Sequence, residues 1–107
     1  MSDLTDLRDA MRRFTQERDW ERFHDPKSLL LALVGEVGEL SELLQWLPAS
    51  SARERLTQEP LRTRVGEEMA DVLLYLVRLA DVIDIDLRGA ADRKMHLNAE
   101  KHPVAPI

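Results

Sequence analysis

Cysteine is absent from the sequence, and so is any run of about 18 apolar residues, the length that a membrane span requires. Without cysteine the chain has no disulfide, thiolate nucleophile or zinc knuckle. Without a long apolar run we expect no membrane association. The first residues are rich in acids and lack the apolar segment of a secretory signal, which predicts a cytoplasmic protein.

A cluster of basic residues is also missing. The chain has 15 Lys and Arg against 20 Asp and Glu, a net charge of -5, and no stretch gathers the basic residues into a stripe. Binding to a nucleic-acid backbone depends on such a stripe, so we expect no nucleic-acid polymer as partner. A small anion that is held through a metal ion remains compatible with this charge.

β-branched residues are sparse, whereas leucine, alanine, glutamate and arginine dominate at helical spacing, which predicts an all-α fold. We interpret residues 1–107 as one domain, small enough to need a partner subunit for part of its apolar surface, so a homo-oligomer is expected. Four helices are predicted, at about 4–18, 26–46, 61–83 and 86–101, and a polar linker with one short turn is predicted at 48–60.

Two pairs of carboxylates stand out within the second and third predicted helices. Glu36 and Glu39 form one pair, Glu68 and Asp71 the other, and each pair is three residues apart. Residues at this spacing project from one side of a helix, about 4.5 Å apart along its axis. Because the linker makes the two helices neighbours, we expect all four acids to converge.

Helical wheels place both pairs beside apolar stripes, while Glu42 and Glu67 point outward. On the second helix the expected core residues are Leu29, Leu33, Val37, Leu40 and Leu44. On the third they are Val65, Met69, Val72, Leu76 and Ile83. Gly35 and Gly38 flank Glu36, and glycines inside a helix indicate close approach by a ligand or by another helix.

Four converging carboxylates persist only with bound cations or protons, so a metal site is the leading hypothesis. Oxygen donors alone favour Mg²⁺, with Mn²⁺ as an alternative, and point to phosphate chemistry. Neither pair contains the histidine that ferritin-like di-iron bundles use. The competing interpretation is a non-enzymatic helical module that dimerises through its apolar stripes and carries the acids on a solvated surface.

These residues resemble a known family, the all-α nucleoside triphosphate pyrophosphohydrolases of the MazG-like superfamily. The likeness lies in LLLALVGEVGELSELLQW and EEMADVLLYLVRLADVIDIDL, and it extends over about residues 20–103. Three further segments look closest to the dCTP pyrophosphatase branch: RDWERFHDP, the GEVGEL run with QW after it, and the terminal KMxxNxxKxP pattern. The resemblance implies a four-helix architecture that assembles as a dimer or tetramer.

The same resemblance implies hydrolysis of a nucleoside triphosphate to a monophosphate and pyrophosphate. Glu36, Glu39, Glu68 and Asp71 would be the Mg²⁺ ligands and would form the catalytic centre. The substrate would be dCTP or a modified dCTP, and the alternatives within the superfamily are dUTP or a damaged purine nucleotide. Substrate contacts are expected, by the same resemblance, at His24, Trp46, Tyr75, Lys94, Asn98 and Lys101.

Overall fold

The computed structural model describes residues 3–105, and within this range the regular structure is entirely helical. The helices are α1 (Asp3–Glu17), α2 (Pro26–Leu44), α3 (Ala49–Leu56), α4 (Leu61–Val82) and α5 (Leu87–Lys101), with a 3-10 turn at Glu21–Phe23. The all-α prediction is confirmed. Over these residues, no helix combines the length and hydropathy needed to cross a membrane.

Local chemistry explains where the helices begin and end. The carboxylate of Asp25 accepts a hydrogen bond from the backbone N–H of Ser28 at 2.9 Å, and Pro26 occupies the first position of α2. After α1 and α4 the chain turns through Asp19 and Asp84, both with positive φ. The backbone N–H of the next residue in each case bonds back into the helix, Trp20 to Thr15 and Ile85 to Ala80.

The segment predicted as a linker contains a helix of its own. We expected only a short turn there, but α3 covers eight residues between Pro48 and Thr57. Its charged residues have strong helix propensity, and α3 packs against α4. The structure therefore has five helices over the described residues, four of which match the predicted ones.

The helices pack around α4, which contacts α2 most extensively and also contacts α1 and α3. Among the described residues, α5 makes no comparable contact with another helix. The buried apolar side chains are those of Leu29, Val77 and Ala80. Thr15 and Arg78 are buried as well.

Several side chains that we expected in the core are exposed. On the apolar stripes, Val37 is 47% exposed and Met69 is 56% exposed, and Leu76 and Ile83 are also exposed. The prediction that these four are core residues is wrong for a single chain. The helical wheel identifies an apolar face correctly, but it does not show whether that face is covered by the same chain or by another one.

Candidate active site

Three of the four predicted carboxylates come together where α2 packs on α4. One carboxylate oxygen each from Glu36, Glu39 and Glu68 lies within 4.8 Å of the others. Glu36 and Glu68 are half-buried, and Glu39 is exposed. The i, i+3 spacing on α2 directs its two acids to one side, and the packing of α2 on α4 brings Glu68 opposite them.

Asp71 lies outside this group of three. It is an exposed residue at the edge of the neighbouring pocket, one turn along α4 from Glu68. Its charge nevertheless acts on Glu36, whose pKa it helps to raise. The four acids therefore share one electrostatic environment, although only three of them lie close enough together to ligate one ion as arranged.

Two buried oxygens in the cluster have no hydrogen-bond partner among the described residues. They are Oε2 of Glu36 and Oε2 of Glu68. A buried and unpaired carboxylate oxygen is costly, and native proteins rarely leave one unsatisfied. A cation or a proton would satisfy both atoms, and oxygen donors of this kind suit hard divalent ions. The residues present thus fit a divalent metal ion.

The electrostatics of the cluster point the same way. Burial raises the pKa of Glu68 to about 7, and its hydrogen bond with Glu36 and the charge of Glu39 act in the same direction. Burial also raises the pKa of Glu36, assisted by the charges of Glu39 and Asp71, although the hydrogen bond with Glu68 opposes this. The folded chain without a cation therefore holds protons at the cluster near neutral pH.

A pocket of about 290 Å³ opens beside Asp71. Its lining is mainly apolar and aromatic and includes a few polar groups. The lining residues are Met11, Phe14, Thr15, Trp20, His24, Asp71, Leu74 and Tyr75. The rings of Phe14 and Trp20 pack edge to face, with centroids 5.5 Å apart. The volume and lining suit a small ligand with a flat ring.

The predicted substrate contacts are divided between two parts of the molecule. His24 and Tyr75 line the pocket. Trp46 is 83% exposed beyond the end of α2 and does not line it. Instead Trp20 is the tryptophan of the pocket. Its signal in the sequence was the aromatic loop that precedes α2.

The three polar residues expected on the last helix also lie away from the pocket. Lys94, Asn98 and Lys101 are all exposed on α5. Within residues 3–105, none of the three lines the pocket, and α5 packs extensively on no other helix. A single chain thus does not bring these residues to the acidic cluster.

Sequence reasoning missed four pocket residues: Met11, Phe14, Thr15 and Leu74. The first three belong to α1, to which we assigned no site residue. Their spacing of three and one residues is the same for a core stripe and for a pocket wall, so the sequence carried no signal that separates the two.

The glycines beside Glu36 do not mark a close helix contact within the chain. A Cβ atom built on Gly35 or Gly38 meets no atom of the described residues within 4 Å. Tight packing by another helix of the same chain, one of the two expected causes, is therefore wrong. Both glycines face open space on the exposed side of α2.

Comparison with known proteins agrees with this architecture. The model of the MazG nucleotide pyrophosphohydrolase domain matches residues 24–105. The chain is 48% identical to dCTP pyrophosphatase 1 of Rattus norvegicus over 101 residues, 94% of this chain and 59% of the relative. It is 46% identical to dCTP pyrophosphatase 1 of Homo sapiens over 100 residues, again 94% of this chain and 59% of the relative.

A solved structure shows the same fold. The crystal structure of a pyrophosphatase from Archaeoglobus fulgidus superposes with a TM-score of 0.88 at 37% sequence identity, covering 97% of this chain and 95% of that one. The chain spans about three-fifths of the length of the mammalian relatives. The matched domain, the identity and the shared fold together show that this chain belongs to the MazG nucleotide pyrophosphohydrolase family.

Proposed function

We propose that this protein is a nucleoside triphosphate pyrophosphohydrolase that cleaves its substrate to a nucleoside monophosphate and pyrophosphate. The observation that carries the proposal is the pair of buried, unpartnered oxygens on Glu36 and Glu68, next to a pocket of about 290 Å³. The family and the named relatives support the reaction. Their name also supports dCTP as the preferred substrate.

In this proposal Glu36, Glu39, Glu68 and Asp71 hold Mg²⁺, or Mn²⁺ as an alternative. The ion would supply positive charge against the triphosphate and would make nearby water more acidic. The glutamates would orient that water and accept its proton, so no covalent nucleophile of the protein is needed. The ion would neutralise their shared negative potential and would replace the protons that the cluster holds without it.

The pocket would take the nucleoside. Its mainly apolar lining would shield the base from water, and the ring of Trp20 would offer it a stacking partner. Tyr75 is one turn along α4 from Asp71, so we place the sugar between the base and the acids, against Tyr75. An aromatic ring in that place would disfavour a 2′-hydroxyl and hence favour deoxynucleotides.

We also propose that the protein works as a homo-oligomer, a dimer or a tetramer. Its accessible surface is 8445 Å², whereas a compact monomer of 12.3 kDa exposes about 6,100 Å². Its radius of gyration is 17.1 Å, against about 13 Å for a compact chain of this length. Both differences are what a subunit shows when part of its core is supplied by another copy.

An assembly of this kind would explain the distant substrate contacts. Trp46 and the three polar residues of α5, Lys94, Asn98 and Lys101, are exposed in one chain. In an oligomer they would reach the nucleotide on a neighbouring subunit, with the lysines against its phosphates. Since nucleoside triphosphates are cytoplasmic metabolites, we propose the cytoplasm as the site of action.

The test is pyrophosphate release from dCTP, dUTP, 5-methyl-dCTP and CTP, with Mg²⁺ or Mn²⁺ present. We expect cleavage of dCTP or its 5-methyl form, faster than of CTP, and loss of activity in Glu36→Gln and Glu68→Gln. Glu42→Gln, an exposed acid on the same helix as Glu36, is the matched control. Absence of pyrophosphate from every nucleotide would refute the proposed reaction and favour the dimerisation module.

A further inference from the structure

The imidazole of His24 makes a bond that determines its protonation. His24 follows the 3-10 turn and lines the pocket. Its Nδ1 atom lies 3.0 Å from Nε of Arg78, a residue of α4 that is only 6% exposed. A guanidinium group has donors and no acceptor, so Nε–H must donate and Nδ1 must accept.

The consequence is a single form of the ring. With Nδ1 accepting, the imidazole is neutral and its proton is on Nε2, because the protonated ring would place a second donor against Arg78. Burial lowers the pKa of His24, and the charge of Arg78 lowers it further, whereas the charge of Glu21 acts in the opposite direction. The ring therefore has one N–H group left for a ligand.

Arg78 is itself held from two sides. Its second donor reaches Oδ2 of Asp81 at 3.2 Å, and Asp81 in turn accepts both donors of a fork from Arg12 on α1. The hydrogen bonds from Arg12 lower the pKa of Asp81, so this carboxylate stays charged. The network fixes the guanidinium plane and with it the direction of the bond to His24.

Arg78 has two partners of different kinds, and only one of them balances its charge. Asp81 satisfies the charge of Arg78, yet Nε is directed to a histidine on a separate segment, 54 residues away in the chain. That residue is also one of the few polar groups in an otherwise apolar pocket. The bond thus links the Arg78–Asp81 ion pair to a histidine that lines the pocket.

We propose that Arg78 is a positioning residue that presents His24 to the nucleotide base as a fixed Nε2–H donor, so that the pocket selects a base with a hydrogen-bond acceptor at that edge. This rests on the proposed function, because it assumes that the pocket takes the nucleoside. The base is favoured over a phosphate because aromatic and aliphatic side chains surround the ring and the charged residue of the pocket, Asp71, is acidic. Pyrimidine ring carbonyls are acceptors of this kind.

The tautomer can be read without any activity. We would record ¹⁵N–¹H correlation spectra of the imidazole rings near neutral pH and assign His24 by its loss in His24→Gln. We expect the Nε2–H form alone for His24. The signals of the exposed His96 and His102 are recorded in the same spectra as internal references. An Nδ1–H or charged His24 ring overturns the proposal, whether or not the protein cleaves a nucleotide.

Substitution then tests the role of Arg78. In Arg78→Met we expect mixed tautomers at His24 and a rise in KM for dCTP of about three- to tenfold, with kcat nearly unchanged, because one hydrogen bond to the bound base is lost. Arg78→Lys retains one donor and should give intermediate values. Arg62→Met removes an exposed arginine from the same helix and is the control.

The outcomes separate the two proposals. A wild-type Nε2–H ring with unchanged tautomer and KM in Arg78→Met refutes the positioning role while leaving the enzyme intact. If no triphosphate is cleaved, the proposed function fails, and with it the selection of a base. Should Arg78→Met not fold, thermal melts will show it, and Arg78→Lys together with the wild-type tautomer decides the question.

Discussion

Glu36 and Glu68 have the least satisfied polar atoms in the described part of the chain, since each has a buried oxygen without a partner. A buried charge next to like charges destabilises the folded state, and here the carboxylates of Glu36 and Glu68 lie within 4.8 Å of each other and of the exposed Glu39. Stability alone would select an amide or an apolar residue at these positions. The metal ion proposed above would account for acids at these positions.

Removal of one of these charges should stabilise the metal-free protein. For Glu68→Gln near pH 8 without divalent ions, we expect the melting temperature to rise by a few degrees, because the amide has no charge to desolvate or to repel Glu36. Differential scanning fluorimetry is sufficient. Glu67→Gln, the exposed neighbour on α4, should leave the melting temperature unchanged. A lower melting temperature for Glu68→Gln would argue against repulsion in the cluster.

The raised pKa of Glu68 determines how the stability of the metal-free protein depends on pH. A carboxyl group that loses its proton near pH 4.5 when unfolded and near pH 7 when folded binds more protons in the native state between these values. The free energy of unfolding of the metal-free protein should therefore fall as pH rises from about 4.5 to 7 and then level off. Chemical denaturation across this range checks it.

Mg²⁺ should offset the fall in stability of the protein as pH rises. The ion should bind the ionised acids. At pH values above 7, a Mg²⁺ concentration of about 10 or more times its dissociation constant should therefore raise the melting temperature. Near pH 5 the same concentration should have little effect, because protons compete for the acids. Addition of EDTA should restore the melting temperature of the metal-free protein. An equal shift at both pH values would locate the ion elsewhere.

How far the site was predictable depends on the kind of residue. Glu36, Glu39 and Glu68 follow from helical spacing, because the rotation per residue is constant and α2 and α4 are neighbours. The displacement of Asp71 and the choice of Trp20 over Trp46 do not follow, since they depend on loop geometry and on the angle between helices. Neither quantity has a periodic signal in the sequence.

At the scale of elements, the start of α2 connects the pocket to the acids. Asp25 caps this helix and is bonded to both the backbone N–H and the hydroxyl of Ser28. Those bonds lower the pKa of Asp25, so the cap stays ionised at neutral pH. His24 precedes the cap, and Glu36 follows three turns later, so the cap sets the position of one relative to the other.

Loss of this cap should affect both stability and binding. In Asp25→Ala we expect a melting temperature lower by a few degrees, since two bonds at the helix start disappear, and a higher KM because the segment that carries His24 is then less firmly fixed to α2. Asp25→Asn retains a side-chain acceptor and should stay close to wild type. Circular dichroism melts and steady-state kinetics are the measurements. Equal effects of both substitutions would mean that charge, rather than capping, is what matters.

The helices themselves were mostly predictable, and the exceptions have physical causes. α2 and α4 have strong apolar periodicity and clear start signals: Asp25 before α2 with Pro26 at its first position, and Pro60 before α4. α3 is short and polar, so it has no apolar stripe from which a helix could be predicted. The lack of extensive contacts between α5 and the other described helices was not predicted either. Periodicity identifies the apolar face of a helix but not what packs against that face.

The molecule as a whole has too little core for its length. Three apolar side chains are buried in the described residues, whereas large ones are exposed along α2 and α4. On α2 the exposed group is Leu30, Leu31, Val34 and Val37. Apolar surface on this scale, in a chain whose accessible area exceeds that of a compact monomer by about 2,300 Å², is typical of a subunit in an obligate assembly.

A charge placed on this surface should dissociate the assembly. For Val34→Glu, at a side chain that is 59% exposed in the single chain, we expect light scattering after gel filtration to give the mass of a smaller species, while wild type gives a multiple of the chain mass. Because folding and association are linked, the variant should also melt at a lower temperature, and more so on dilution. Glu42→Lys reverses a charge at an exposed polar position of the same helix and is the control. If wild type is monomeric at micromolar concentration, a second copy of the chain is not the partner of this surface. The residues of α5 would then have to reach the nucleotide within one chain. That would require α5 to move onto the body formed by α1, α2 and α4.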